Sequence, residues 1–305
     1  MKSIIIIVDY FNDKWPEWFP VYFESIRQNP TIHWHFHTDC DCDSFKAENA
    51  DFHHISREDY IEFVSDKLGV KFAPHDNHKL CDIRPMYGIL YENEIGGYDL
   101  FGYGDIDVIY GNIRQFYTDE VLENNIISTH TWCFSGHFTL VKNERWLRNA
   151  FRRVRNWKSL IEQHYNQRFD EDKFFKLFKY PKFLPVRFQY IYDLLNPEWK
   201  KYRSKLYLKE QFTTPLTPSG WIDNGINHPT VWFWKNGRIT NETDGDREFI
   251  YFHFMNFKNA RYMDAVYGKT AFWSNLPQIV HLSPEEYKYG IRIDRYGFHK
   301  MDDLL

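Results

Sequence analysis

The apolar pattern opens with SIIIIVDY, an almost unbroken run that predicts a strand buried on both faces, as in a parallel sheet. WPEWFPVYFESIRQN enters through prolines and then repeats its apolar positions at helical spacing. TIHWHFHTD alternates as a second strand, which puts His33, His35 and His37 on one side of it. Strand, helix, strand is the beginning of an α/β unit. Further on, ISREDYIEFVSDKLG predicts an acidic helix with Ser56 and Asp59 at the positions of an N-terminal cap, and HKLCDIRPMYGILYENEIGG a helix entered through a turn at Pro85. YDLFGYGDIDVIYG reads as a strand with its exit loop, NIRQFYTDEVLENN as a helix, and IISTHTWCF and SGHFTLVKN as two strands in succession. No repeat or long linker interrupts the pattern. It predicts one compact α/β domain with a mixed, mostly parallel central sheet flanked by helices.

The polar exceptions to this pattern carry the chemistry. In FGYGDIDVIYGNI, Asp105 and Asp107 follow an apolar run and have glycines on both sides. Alternation along a strand would place both carboxylates on one face, where they repel unless a cation lies between them. Asp39 closes the second strand, and in open α/β sheets ligands sit beyond the carboxyl ends of the strands, so all three acids can reach one crevice. A hard cation, Mn²⁺ or Mg²⁺, suits such carboxylates and keeps positions open for the oxygens of a substrate diphosphate. FIYFHFMNFKN adds His253 at the end of another apolar run and Lys258 five residues later. Histidine would complete a site that favours Mn²⁺, and lysine would hold a phosphate as a point charge.

Composition narrows the class. The chain has 305 residues, enough for a substantial core, and its aromatic content of 19% supplies either that core or stacking surfaces for sugars or bases. The N-terminal apolar run is too short for a signal peptide, and no stretch offers the roughly eighteen apolar residues that span a bilayer. The expectation is a cytoplasmic protein. Four scattered cysteines do not make a disulfide framework, and Cys40 and Cys42 in TDCDCD read as a soft-metal pair or as an exposed loop. The net charge of −4 hides an uneven spread: residues 142–209 hold 18 Lys and Arg against 7 Asp and Glu. KNERWLRNAFRRVRNWK places Arg145, Arg148, Arg152 and Arg155 at helical spacing, a basic band that is either solvated or set against the anionic inner leaflet of a membrane. Without a recognised binding motif, nucleic acid is not an expected partner.

GYDLFGYGDIDVIYGNI, SGHFTLVKN, FDED and HFMNFKN, in this order and spacing, resemble GT-A fold glycosyltransferases, and more narrowly a bacterial family of GT-A-like proteins found with surface-polysaccharide (capsule or O-antigen) genes. The resemblance runs over about residues 1–260 and implies a Rossmann-like nucleotide-sugar-binding fold. It divides the catalytic domain, 1–262, into a nucleotide-binding half to about residue 115 and a donor-sugar and acceptor half after it, with an extension over 263–305. It implies Asp105, Asp107 and His253 as metal ligands, with Asp105 shared between metal and ribose, and Lys258 as the phosphate-holding lysine of the glycogenin-like enzymes. Those enzymes carry H-x-G-x-x-K-P-W, whereas here Met255 replaces the glycine and Asn259 and Ala260 replace Pro-Trp.

The resemblance also matches Asp39 to the carboxylate that pairs with the nucleotide base, with Tyr10 against that base. It puts Asp82 and Arg84 at ribose or donor sugar, where the other reading is a local ion pair that fixes the turn. Gly136 and His137 would form the floor of the sugar site, or Gly136 serves a tight bend. Asp170 and Glu171 in FDED are the candidate catalytic carboxyls; alternatively they cap the helix KFFKLFK. The expected partners are a nucleotide-sugar donor, a UDP-sugar being favoured, and a glycan or lipid-linked glycan acceptor. A metal-dependent phosphoesterase or nuclease and a non-enzymatic glycan-binding module are the alternatives. The first needs more ligands than this sparse set, and the second leaves the D-x-D and the late histidine idle.

Overall fold

A computed structural model describes residues 1–258, 271–274, 276 and 278–301. Along the chain run β1 (Ile4–Tyr10), β2 (Ile32–Thr38), β3 (Ala50–His54), β4 (Leu100–Gly104), β5 (Val108–Tyr110), β6 (Ile126–Ser128) and β7 (Phe138–Lys142). They are followed by β8 (Leu206–Leu208), β9 (Trp232–Lys235), β10 (Arg238–Asn241), β11 (Tyr251–His253), β12 (Ile291–Asp294) and β13 (Gly297–Lys300). The chain forms two compact units that interleave in sequence. One takes Met1–Lys14, Thr31–Gly104 and Asp119–Glu210, and the other Trp15–Pro30, Asp105–Thr118 and Gln211–Leu305. This differs from halves divided near residue 115, because β4 and β5, read above as one strand, belong to different sheets. Asn259, Ala260 and part of the expected extension 263–305 lie outside the described residues.

The first unit is built on a seven-stranded sheet of order β3-β2-β1-β4-β7-β6-β8. β1 pairs in parallel with both β2 and β4, and β7 runs antiparallel between β4 and β6. The position of β1 explains its composition: Ile4, Ile5, Ile6 and Ile7 are all buried, each stabilising the fold by about 1.5–3 kcal/mol relative to exposure. β2 alternates as expected, with Trp34 and Phe36 fully buried and His33 and His35 partly exposed. Helix α1 (Phe19–Arg27) of the second unit and helix α2 (Arg57–Leu68) of the first both form where the sequence predicts them. Ser56 Oγ accepts from Asp59 N at 3.0 Å at the start of α2, and Gly69 ends it at φ +62°, a conformation that costs glycine nothing. Between them the apolar side of α2, Tyr60, Val64 and Leu68, packs into the core.

The basic run 145–157 does not form the single helix that its spacing predicts. It breaks into a turn of α-helix at Arg145–Arg148, a 3₁₀ turn at Ala150–Arg153 and a helix resuming at Trp157. Two asparagines cause the breaks: Asn149 Nδ2 turns back to Arg145 O at 2.9 Å, and Asn156 sits at φ +57°, which asparagine tolerates better than most residues.

The second unit holds the antiparallel sheet β10-β9-β12-β13 and the separate pair β11-β5. α1 packs beside β5, tied by Ser25 Oγ accepting from Tyr110 N at 3.1 Å and Asn29 Nδ2 donating to Gly111 O at 2.9 Å. Its core is aromatic, with Trp232 stacked on Phe252 at 4.5 Å and Trp234 Nε1 donating to Tyr110 O at 2.9 Å. Much of the aromatic content is therefore packing. No helix among the described residues is long and apolar enough to cross a membrane.

Candidate functional site

In the second unit, the antiparallel register of β5 and β11 sets His253 opposite Val108, next to Asp107. The pairing is extended past the strand ends by Phe254 N, which donates to Asp107 O at 3.1 Å, and His253 N donates to Thr213 O at 2.8 Å. Asp105 and Asp107 are thus not on one face of a strand, as alternation suggested. They occupy the break between β4 and β5, where the backbone is free of the pleat.

The side chains converge there. Asp107 Oδ2 lies 2.8 Å from Lys258 Nζ, and Asp107 Oδ1 lies 3.5 Å from His253 Nε2. Burial works to raise the Asp107 carboxyl, but Lys258 and His253 together hold it well below the usual carboxylate range. Thr214 Oγ1 lies 2.9 Å from His253 Nδ1 and fixes the ring, with Nε2 turned toward Asp107. A carboxylate oxygen of Asp105 lies within 4.8 Å of a His253 ring nitrogen. Lys258 also stands 4.9 Å over the ring of Trp18, which anchors its ammonium from the other side.

Two hard carboxylates and one imidazole suit Mn²⁺ or Mg²⁺. If Nδ1 donates to Thr214, Nε2 is the ring atom left for a metal in place of its contact with Asp107, so these residues fit such an ion. Thr214 was not legible as a participant, since it lies 39 residues from His253 in a stretch with no motif.

In the first unit, Arg84, Gly136, Asp170 and Glu171 come together. Arg84 Nη1 donates to Gly136 O at 2.8 Å and lies 3.6 Å from Asp170 Oδ2. A Cβ at Gly136 would stand 2.9 Å from Arg84 Nη1 and 3.3 Å from both Asp170 Oδ2 and Glu171 Oε1, so any side chain there would displace the guanidinium. Phe169–Phe174 forms a π-helical turn after Arg168 at φ +52°, and no side chain caps it. The capping alternative for FDED holds in part: Asp170, Glu171 and Asp172 lie in the first turn of a helix, but without a side-chain cap, and Asp170 is buried rather than facing water. Burial pushes the Asp170 carboxyl up to about 8, against the pull of Arg84 and with the help of Glu171 and Asp82. His137, in the same loop, is buried with its ring edge-on to His130 at 5.1 Å.

Asp82 is placed differently from Arg84. Its side chain is fully buried, 2.8 Å from Lys79 Nζ, and accepts from Gln167 N and Phe169 N at 2.8 Å each. Asp82 does form a local ion pair, but with Lys79, a partner the sequence reading did not name, and the turn that it fixes is the one presenting Asp170. Lys79 had not been singled out; its position three residues before Asp82 was the available signal.

Asp39 lies beyond the carboxyl end of β2, where its Oδ1 accepts from Asn12 N at 3.0 Å and Asp13 N at 3.2 Å. With Asn12, Ser56, Arg57 and Asn77 it lines a cavity of about 380 Å³. Tyr10, at the end of β1, is half-buried, and its hydroxyl accepts from Asn12 Nδ2 at 3.4 Å. Cys40 and Cys42 are free thiols, with Cys42 Sγ donating to Cys40 O at 3.1 Å.

The profile of DUF6625, described as a family of unknown function, matches residues 6–281. The chain belongs to that family. No curated protein matches the sequence. Among solved structures, the chain is similar to the galactosyltransferase LgtC in complex with donor and acceptor sugar analogues, at 12% identity and a TM-score of 0.35 over 70% of this chain and 76% of that one. It is similar to the glycosyltransferase GlyE of Streptococcus pneumoniae TIGR4 at 11% identity and a TM-score of 0.30, over 69% of this chain and 45% of that one. It is similar to mouse xyloside xylosyltransferase 1 at 10% identity and a TM-score of 0.30, over 68% and 79%.

Proposed function

We propose that this chain is a divalent-metal-dependent glycosyltransferase of the GT-A kind. It would move a sugar from a nucleoside diphosphate, uridine diphosphate being favoured, to a glycan or lipid-linked glycan of a surface polysaccharide. The observation that carries the reading is the Asp107 carboxylate, buried yet held ionised by Lys258 and His253. A buried carboxylate kept anionic is suited to a cation rather than to carrying a proton.

Asp105, Asp107 and His253 are the residues that would hold Mn²⁺ or Mg²⁺, which when bound neutralises charge on the departing diphosphate. Thr214 orients the imidazole, and Lys258 supplies a point charge for a phosphate oxygen. Asp39 and Tyr10 are assigned to the base, with Asn12 beside them. Arg84 and the Gly136 and His137 loop are assigned to the donor sugar. Asp170, whose raised value keeps its proton at neutral pH, is suited to donating a hydrogen bond to a sugar hydroxyl, and Glu171 to receiving the acceptor's proton. Peripheral contact of residues 142–209 with an anionic inner leaflet belongs to the same reading, supported by their 18 basic against 7 acidic side chains.

The test is thermal stabilisation by a panel of nucleotide sugars with and without Mn²⁺, since a ligand bound only to the folded state raises apparent stability. Stabilisation by at least one donor that requires the metal is expected. No metal-dependent stabilisation by any donor overturns the reading, and cleavage of a phosphodiester in the absence of an acceptor replaces it with a hydrolase.

A further inference from the structure

Residues 183–195 expose apolar side chains to an extent found in no other segment of comparable length among the described residues. Phe183 is 91% exposed and Val186 80%, and the helix Gln189–Leu195 that follows has no buried residue. On that helix Tyr190, Ile191, Leu194 and Leu195 point outward at i, i+1, i+4 and i+5, one continuous face. The opposite side is locked. Asp193 Oδ1 lies 2.6 Å from Arg203 Nη2, its Oδ2 accepts from Tyr180 Oη at 2.7 Å, and the Arg203 guanidinium stands 4.7 Å over Tyr180 and 5.2 Å over Tyr192. This clamp fixes which side of the helix is turned to solvent. The apolar face is therefore presented by structure rather than left over by poor packing.

A monomer in water rarely leaves such a patch bare. Its surroundings identify the occupant: residues 179–205 carry seven Lys and Arg against two Asp and Glu, Lys182 and Arg187 are exposed beside Phe183 and Phe188, and Lys200 and Lys201 are exposed on the helix that follows. Apolar and aromatic side chains bordered by basic ones match a bilayer surface, with hydrocarbon taking the first and anionic headgroups the second. A second copy would bring like charge against like charge. We infer that residues 183–195 insert into the interface of an anionic membrane, seating Phe183, Val186, Ile191, Leu194 and Leu195 below the headgroups while the flanking lysines and arginines bind phosphates. The inference deepens the membrane contact proposed above for residues 142–209 and rests on that part of the reading, not on the chemistry of sugar transfer.

Co-sedimentation with vesicles tests it, using phosphatidylcholine alone and phosphatidylcholine mixed with phosphatidylglycerol, at low and high salt and without any nucleotide sugar. Binding to the anionic vesicles is expected, weakened but not abolished by salt, because the apolar part is not screened. The variant Leu194→Ser with Leu195→Ser should bind about tenfold more weakly or worse. Should its circular dichroism show loss of fold, Phe183→Ser in the preceding loop takes its place, with the same expectation in direction. No binding to anionic vesicles at low salt overturns the inference, as does binding that neither variant weakens. A lipid-free dimer that dissociates in these variants also overturns it, since a second copy then covers the face. Metal-dependent stabilisation by nucleotide sugars should be unchanged in the variants, so the membrane inference and the transferase reading fail separately.

Discussion

Lys258 Nζ stands 2.8 Å from Asp107 Oδ2 in a pocket that would otherwise favour the protonated acid. The pair keeps a negative charge in place at a buried position. Asp107→Asn keeps the shape and removes the charge, so turnover with any donor that the wild type uses should fall by more than about 100-fold. Stability should change by no more than about 1–2 kcal/mol, because the Lys258 side chain is 31% exposed and can turn to water. Steady-state kinetics with Mn²⁺ and a thermal melt check both halves; undiminished turnover removes Asp107 from the metal site.

Thr214 acts through His253 and leaves a different signature. Thr214→Val deletes the Nδ1 partner, frees the ring to rotate and should weaken apparent Mn²⁺ affinity about 10–100-fold. At saturating metal kcat should recover most of its value. A metal titration that is superimposable on that of the wild type would show that the threonine only fills space.

Asp170 makes stability depend on pH in an unusual sense. Its folded value of about 8 lies above the roughly 3.9 of an unfolded aspartate, so between those values the folded chain holds a proton that the unfolded chain has released. The folded state is therefore increasingly disfavoured as pH rises from about 4 to about 8, by at most about 1.4 kcal/mol per pH unit. Asp170→Asn removes this dependence, and its stability relative to wild type should grow across that window. Denaturant melts at a series of pH values measure it; parallel curves would mean that Asp170 is ionised in the native protein at neutral pH.

Local pattern made β1, α1, β2 and α2 legible, because each is decided by burial within a short stretch and α2 also by the Ser56 cap, whereas β3, a mostly exposed edge strand, gave no such pattern. The break between β4 and β5 was not legible, since apolar residues continue on both sides of the two aspartates of FGYGDIDVIYG and nothing in it says that its second part pairs with residues 251–253. The same limit applies to the site. Asp105, Asp107, His253 and Lys258 stand out by type and spacing, whereas Thr214 and Lys79 become partners only once the chain returns. FDED does begin a helical turn, as its acids suggest, but the burial of Asp170 is tertiary and leaves no mark in the local sequence.

Lys79 and Asp82 form an ion pair in which both side chains are fully buried. Lys79→Met removes one charge and leaves the other without its counter-ion, which should cost about 3–5 kcal/mol. Asp82 also receives Gln167 N and Phe169 N, so the loss should loosen the turn carrying Asp170. A melt of that variant distinguishes the framework role from a ribose contact, which would raise KM and leave stability nearly untouched.

Gly136→Ala separates space from backbone freedom, because Gly136 does not occupy the left-handed region. The added methyl would sit 2.9 Å from Arg84 Nη1, closer than non-bonded atoms normally approach, and 3.3 Å from the two carboxylates. Something must shift, and the guanidinium is the far end of a flexible side chain, so it moves more readily than the backbone. The stability loss should stay near 1 kcal/mol or below. Moving Arg84 breaks its 2.8 Å bond to Gly136 O and withdraws positive charge from Asp170. With that opposing charge gone, the Asp170 carboxyl should rise further, and the turnover of a transferase that needs this geometry should fall about tenfold or more. The measurement is kcat together with the pH dependence of stability: a fall in kcat with the Asp170 window displaced upward is expected, and an unchanged kcat in a folded variant would exclude Gly136 and Arg84 from the sugar site.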